Sequence, residues 1–218
     1  GAEWVVRVYE PDATGVDLLN NDGAVALKRV HPAGVFEWRG SSEPNLPYRL
    51  RMHYGSATHE ICDPYQFPSQ ISQQDLYLFS EGKLRQGYRM LGSHAVEING
   101  VKGVRFVVWS PNAERVSVVG EFNNWDGRLH PMRSHGSSGV WELFIPDRAV
   151  ETLYKFEIRN RSGALLVKTD PYAGAFEVRP GTAARAGAAI SHQWQDAGWM
   201  QQRSTWDWLH APLNVHEI

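Results

Sequence analysis

Cysteine is almost missing from this chain: one thiol, Cys62, stands in 218 residues. A lone cysteine has no internal partner, so the fold does not rest on an intrachain disulfide and needs no oxidising compartment. Long apolar runs are missing too, which excludes a helix crossing a bilayer, and no signal-peptide pattern opens the chain. Charge of one sign is also absent. The 22 basic and 24 acidic side chains leave a net charge of −2, which gives no broad electrostatic pull toward nucleic acid or an anionic membrane surface. These absences favour a cytoplasmic protein whose partner is an uncharged ligand or another protein surface. The chain opens on Gly1 rather than Met, so a segment upstream is expected.

Aromatic residues are plentiful: nine Trp, eight Tyr and eight Phe. Sandwich cores use aromatics heavily, and aromatic faces also stack on ligands. Short segments of period-2 alternation dominate. Tyr48, Leu50, Met52 and Tyr54 alternate with Arg49, Arg51 and His53, and Tyr154, Phe156 and Ile158 alternate with Lys155, Glu157 and Arg159. Such alternation buries one face of a strand and wets the other. Further strands are expected over Trp4–Tyr9, Gly15–Leu19, Val35–Trp38, Val104–Trp109, Val116–Gly120, Val140–Ile145 and Leu165–Thr169. Turn chemistry separates them: Asn99-Gly100 is a two-residue hairpin signal, and Asn21-Asp22-Gly23 and Asn160-Arg161-Ser162-Gly163 read alike.

A faint duplication organises these strands. Gly34-Val35-Phe36-Glu37-Trp38, Tyr48-Arg49-Leu50-Arg51 and Asp63-Pro64-Tyr65 recur as Gly139-Val140-Trp141-Glu142-Leu143, Tyr154-Lys155-Phe156-Glu157 and Asp170-Pro171-Tyr172. The offset drifts only from 105 (34 to 139) through 106 (48 to 154) to 107 (63 to 170). Pro11 and Gly15–Leu19 find a similar echo in Pro111 and Arg115–Val119. A period this long is a copied domain rather than a solenoid repeat. Two tandem immunoglobulin-like β-sandwiches follow, an all-β architecture, with a first unit over 1–67 and a second over 68–181.

Between the units, Ser72-Gln73-Gln74-Asp75 has the spacing of a capping box. Leu84, Tyr88 and Leu91 follow at helical spacing, with Gly92 as a C-terminal glycine. A short helical connector is therefore expected. From Thr182 to Ala189 the residues are small and low in complexity, which suggests a surface linker. Trp194, Trp199, Trp206 and Trp208 come next, an aromatic density that a linker does not need, and are expected to pack onto something. Pro212–Ile218 reads as the first strand of another sheet, so residues 182–218 are assigned to a linker and the start of a further domain.

The second unit carries a loop that the first lacks: Gly120-Glu121-Phe122-Asn123-Asn124-Trp125-Asp126-Gly127. Asn-Asn and Asp-Gly are turn formers, so the indole between them should be presented to solvent. A sugar has an apolar C–H face that stacks on an aromatic ring and hydroxyls that take bonds from amides and charged groups. Trp125 would supply the flat face, and Asn123 and Asn124 donors and acceptors. Lys155, on the wet side of its strand, would add a charged donor. On these residues alone the indole equally well plugs the end of the sandwich or docks a neighbouring domain.

From Val104 to Ala113, Val116 to Trp125, Tyr154 to Phe156 and Asp170 to Tyr172, the sequence resembles the starch- and glycogen-binding module of family 48, also present in β-subunits of AMP-activated kinase. Asp75–Gly82, Tyr88, Leu91–His94, Val140–Pro146, Arg179–Thr182, Trp199-Met200 and Pro212–Ile218 are similar to the amino-terminal region of bacterial glycogen branching enzymes. The resemblance implies the two sandwiches followed by an absent (β/α)₈ barrel of the α-amylase superfamily, of which Pro212–Ile218 would be the opening strand. It implies an enzyme that cuts an α-1,4 linkage and forms an α-1,6 branch, with its catalytic carboxylates on barrel loops beyond this chain. No catalytic residue, cofactor or metal is assigned within the 218 residues. The implied partners are α-1,4-glucan chains such as glycogen and maltooligosaccharides, and the chain's own barrel. Trp125 and Lys155, with Asn123 and Asn124 in support, are the implied glucan contacts. Some relatives place a second stacking Trp three residues before the Asp-Pro pair; here that position is Val167.

The remaining candidates read as structural. His130 and His135 lack the further ligands of a metal site. Glu121 and Asp126 are a strand-end and a turn residue rather than a catalytic pair. Cys62 has no basic sequence neighbour to activate it. The competing expectations are a purely structural or interaction module, or the front of another α-amylase-superfamily enzyme such as a debranching enzyme or trehalohydrolase.

Overall fold

The computed structural model describes residues 3–20, 23–147, 152–187, 193–207, 209–212 and 214–217. Among the described residues the first unit has seven strands: β1 (Trp4–Tyr9), β2 (Gly15–Asn20), β3 (Gly23–Ala26), β4 (Lys28–His31), β5 (Val35–Gly40), β6 (Arg49–Tyr54) and β7 (Ala57–Cys62). They form two antiparallel sheets, β1-β5-β4 and β3-β2-β6-β7. The alternating residues meet between the sheets: Val6, Val16, Leu18, Phe36, Leu50 and Met52 are buried together. Helix α1 (Gln73–Ser80) follows, and then the second unit: β8 (Gly92–Ile98), β9 (Val101–Trp109), β10 (Ala113–Gly120), β11 (Arg133–Ser134), β12 (Val140–Pro146), β13 (Leu153–Asn160), β14 (Leu165–Lys168) and β15 (Ala184–Arg185). Its sheets are β11-β12-β9-β8 and β10-β13-β14, with β15 on the far half of β13. Phe106, Val116, Val118, Leu143, Tyr154 and Phe156 fill its core. A second helix, α2 (Ala197–Thr205), comes last.

The duplicated words have duplicated causes. The Tyr48 hydroxyl donates to Asp63 Oδ2 at 2.6 Å, and the Tyr154 hydroxyl donates to Asp170 Oδ2 at 2.5 Å. The other carboxylate oxygen of each aspartate accepts the backbone N–H two residues on, from Tyr65 at 2.9 Å and Tyr172 at 2.8 Å. Both aspartates are buried. Burial pushes both carboxyls above their ordinary range, and the tyrosine hydroxyl and backbone N–H pull back. The Asp-Pro-Tyr repeat thus closes each sandwich over a buried hydroxyl–carboxyl pair. The glycines are copied for a steric reason. A Cβ on Gly34 would sit 2.4 Å from Pro11 Cα, and one on Gly139 would sit 2.6 Å from Pro111 Cα, both at positive φ. The same crossing is fixed by Glu10 N–H to the Gly34 carbonyl and Ser110 N–H to the Gly139 carbonyl, each 2.8 Å.

The connector and the tail depart from the expectations. Ser72 does cap α1, its Oγ accepting from Asp75 N–H at 3.0 Å. The helix stops at Ser80, with Gly82 at positive φ, and residues 84–91 wrap around the second sandwich instead of extending it. Leu91, with Leu84 at the edge of the same cluster, packs with Val107 and Val140 on the outer sheet face, which is why these two leucines share a spacing without sharing a helix. Gly92, expected to end that helix, opens β8.

The expected surface linker at 182–189 is in its described part a piece of the sandwich. Ala183, Ala184 and Ala186 are buried, β15 pairs with β13, and Gly187 N–H donates to Ser93 Oγ at 2.9 Å. These residues are small because they pack closely; Ala188 and Ala189 lie outside the described residues. Trp194, Trp199 and Trp206 do not pack inward as expected and are exposed, while Trp208 lies outside the described residues. Pro212 and Asn214–Glu217 form no strand among the described residues. An extended segment becomes a strand only through ladder bonds to a neighbour. Leu213 and Ile218, and the turn residues Asn21 and Asp22, also lie outside the described set. The Asn99-Gly100 turn does form, at φ 51° and 77°, between β8 and β9.

Phenylalanine at Tyr48 or Tyr154 leaves a buried carboxyl short of a donor, which costs about 1–3 kcal/mol. Urea unfolding should show that loss for Tyr48→Phe and Tyr154→Phe, whereas Tyr88→Phe, on an exposed ring, should change stability by less than about 0.5 kcal/mol.

Candidate functional site

The two units diverge where β10 ends. In the first unit β2 pairs with β3 from Asn20 and Gly23 onward, with only two residues between them in sequence. In the second, residues 121–129 intervene before the chain returns alongside β10, where Met132 N–H donates to the Val116 carbonyl at 2.8 Å. The first unit makes the matching bond from Leu27 N–H to the Val16 carbonyl, also 2.8 Å. The loop is therefore inserted into a hairpin that both units share.

Asn123 locks this loop. It is 3% exposed. Its Oδ1 accepts Gly120 N–H at 2.9 Å, and its Nδ2 donates to the Val118 carbonyl at 2.9 Å and toward His130 Nδ1 at 2.9 Å. The expectation that Asn123 contacts a ligand directly is thus corrected: its amide is consumed in holding the loop's two ends together. The next two residues take left-handed backbone, Asn124 at φ 52° and Trp125 at φ 62°. Asn tolerates that region, whereas a bulky residue there costs roughly 1–2 kcal/mol. The backbone bonds Trp125 N–H to Gly120 carbonyl (2.9 Å) and Asp126 N–H to Asn123 carbonyl (3.0 Å) hold the turn. The indole is left 41% exposed, as its setting among turn formers predicted.

Trp125 borders an open groove of about 560 Å³. The loop contributes Trp125, Asp126, Gly127 and Arg128. The outer face of the sheet contributes Arg115, Glu157 and Arg159, the β13–β14 turn Gly163, and the start of β14 Leu165. The loop lies so close to the sheet that a Cβ on Gly127 would meet Glu157 Oε1 at 2.1 Å. Charges in the groove are paired. Arg115 Nη2 donates to Glu157 Oε1 at 2.6 Å, Arg128 Nη2 to Asp126 Oδ2 at 2.6 Å, and Arg159 Nε lies 3.3 Å from Glu114 Oε2. The Arg128 side chain, with help from its backbone N–H, lowers the Asp126 carboxyl to about 2. A flat apolar face beside several donors and acceptors, with little net charge, suits a neutral polyhydroxylated ring.

Asn124 stays exposed at the loop tip. Lys155 shares the outer face with Glu157 and Arg159, but it is not among the groove's lining residues, and its Nζ donates to Thr182 Oγ1 at 2.6 Å. Val167 stands opposite Glu157 and is 55% exposed. Arg115, Glu157 and Arg159 were missed as site residues, although the alternation that placed Lys155 on the wet face places Glu157 and Arg159 there too. The other candidates are occupied elsewhere. Glu121 Oε2 accepts Leu153 N–H at 3.2 Å, and His135 Nε2 lies 2.9 Å from buried Glu142. Burial raises the Cys62 thiol to about 11, which fits the inert thiol expected of it.

Residues 90–173 match the family described as carbohydrate-binding module 48 (isoamylase N-terminal domain). Residues 1–65 match the N-terminal domain of alpha-1,4-glucan branching enzyme GlgB. The 1,4-alpha-glucan branching enzyme GlgB of Nitrosospira multiformis is 59% identical over 221 residues, covering 99% of this chain and 30% of that protein. Its namesake in Methylobacillus flagellatus is 53% identical, covering 100% of this chain and 30% of that protein. The chain thus spans about 30% of the length of these curated relatives. Among solved structures, the pullulanase of Anoxybacillus sp. LM18-11 in complex with maltotetraose aligns at TM-score 0.39 and 16% identity, over 84% of this chain and 25% of that one.

The Asp126–Arg128 pair sets a pH dependence. A carboxyl lowered to about 2 by its partner keeps the pair intact above its unfolded value of 3.8 and loses it as pH falls through 2. A carbon-detected NMR titration should therefore find the Asp126 carboxyl ionising near pH 2, and Arg128→Ala should return it to the ordinary range.

Proposed function

We propose that this chain, which corresponds along its length to the N-terminal region of the 1,4-alpha-glucan branching enzymes, holds α-1,4-glucan against Trp125 and braces a catalytic barrel that follows it. The observation that carries the reading is the indole itself: exposed, fixed on a locked and strained turn, and set beside an open groove. It lies within the segment that matches a carbohydrate-binding module. In this reading a glucose C–H face stacks on the ring, and hydroxyls meet the Glu157 and Asp126 carboxylates and the Arg115 and Arg128 guanidinium groups. Asn124 adds an amide at the tip and Lys155 a more distant donor, while Asn123 acts from inside by shaping the loop. The first sandwich runs over about 1–67, and the second starts at 68 and takes in the buried alanines up to 186.

The whole enzyme would cut an α-1,4 linkage and pass the freed glucan to a 6-hydroxyl during cytoplasmic glycogen biosynthesis. A chain end that diffuses away after cleavage is lost to transfer, so an anchoring site raises the effective concentration of donor and acceptor together. The exposed rings of Trp199 and Trp206 on and after α2, with Arg203 stacked 5.3 Å over Trp199, favour a second, bracing role for the tail.

Calorimetric titration with maltoheptaose tests the first role. Saturable binding is expected, and Trp125→Ala should weaken it by at least about tenfold, or ~1.4 kcal/mol. Lys155→Ala should have a smaller effect, since its ammonium already bonds Thr182. Equal affinity in Trp125→Ala and the parent chain would contradict the proposal.

A further inference from the structure

The first sandwich lacks the Asn-Asn-Trp loop, yet its last residues reach the base of that loop in the second. Tyr65 follows Asp63-Pro64 and belongs to the segment matching the branching-enzyme N-terminal domain. Its backbone N–H is tied to buried Asp63, which fixes the ring's origin. Its hydroxyl donates to the Pro131 carbonyl at 3.0 Å. Pro131 lies in the short return segment along β10, between two groups that face that strand: the His130 carbonyl accepts Val118 N–H at 3.0 Å, and Met132 N–H donates to Val116. Because alternate groups of a ladder point opposite ways, the Pro131 carbonyl faces away from β10, and Tyr65 satisfies it.

A second tie runs beside the first. Arg133 Nη2 donates to the Phe67 carbonyl at 3.1 Å, and the Phe67 ring is buried edge-on to Phe144 with centroids 4.7 Å apart. The segment held in this way carries His130, whose ring lies against the locking amide of Asn123 at 2.9 Å and edge-on to Phe122 at 5.5 Å. Contact therefore passes from Tyr65 to Pro131, to His130, to Asn123, and so to the backbone that presents Trp125.

We infer that Tyr65 is a positioning residue for the Trp125 loop, so that the first sandwich tunes a glucan site it does not itself form. The inference rests on the reading of the Trp125 groove as that site. It gives the first unit a task that its own surface does not reveal. It also explains the use of the Tyr65 hydroxyl in this copy of the Asp-Pro-Tyr repeat, beyond the backbone bond that both copies share.

The test uses the 218-residue chain with maltoheptaose as probe, in a double-mutant cycle of Tyr65→Phe and Trp125→Ala. Tyr65→Phe keeps the ring and removes only the donor. It should weaken binding about two- to fivefold, the range for a single partly exposed hydrogen bond. It should also move the Trp125 indole N–H resonance in the sugar-free chain. In the Trp125→Ala background it should cost nothing further, because the two act through one contact. Arg133→Ala should move the same resonance. An unmoved indole resonance with unchanged affinity, or equal weakening in both backgrounds, overturns the inference. If the parent chain fails to bind maltoheptaose, the glucan reading fails, and the indole resonance alone then decides the positioning role: a shift supports it and no shift overturns it.

Discussion

The carboxamide of Asn123 bonds in three directions at once, and the site depends on that. It ties the end of β10, the carbonyl of Val118 and the ring of His130 into one buried knot. With both ends of the loop closed by a single side chain, the two residues that follow have no freedom to turn inward. They adopt left-handed backbone, and the indole of Trp125 is turned out to the groove. The strain of a tryptophan at φ 62° persists because the surrounding bonds over-determine it, as is common where a side chain is presented to a ligand.

The duplication shows how such a site arises on a plain scaffold. Both units keep the hydroxyl–carboxyl pair, the glycine against proline and the return bond beside the second strand of the repeat. These elements hold the sandwich shut and say nothing of ligand. What differs is the length of one connection, two residues between paired strands in the first copy and the loop over 121–129 in the second. The sheet beneath that loop supplies the polar side chains Arg115, Glu157 and Arg159. The longer connection is accommodated at a hairpin without disturbing the shared core bonds.

Much of this was legible in the residues. Alternation located β6 and β13, because it reflects which side chains face a core, and the repeat matched bonds that recur in both units. Strands with little burial escaped: β3, β4 and most of β7 are exposed along their length, so no hydrophobic pattern marks them. The alanines from 183 to 186 read as a linker since small residues suit both loose and very tight backbone, and only the pairing with β13 tells them apart. Leu84 and Leu91 imitated a helix because a chain wrapping a sheet also returns apolar residues at intervals. At the site, residue type suggested Asn123 as a ligand contact, while geometry spends it internally. The Arg115, Glu157 and Arg159 set was hidden by distance in sequence, although two of the three sat on a face already recognised as wet.

The proposed glucan anchoring turns on the position of one sugar relative to one ring. The measurement that bears on it most directly is a crystal structure of the chain soaked with maltoheptaose. A glucose ring should lie flat on the Trp125 indole, with its hydroxyls within hydrogen-bond distance of Glu157 or Asp126. Sugar bound only at the tryptophans on and after α2, with the groove beside Trp125 left to solvent, would contradict it.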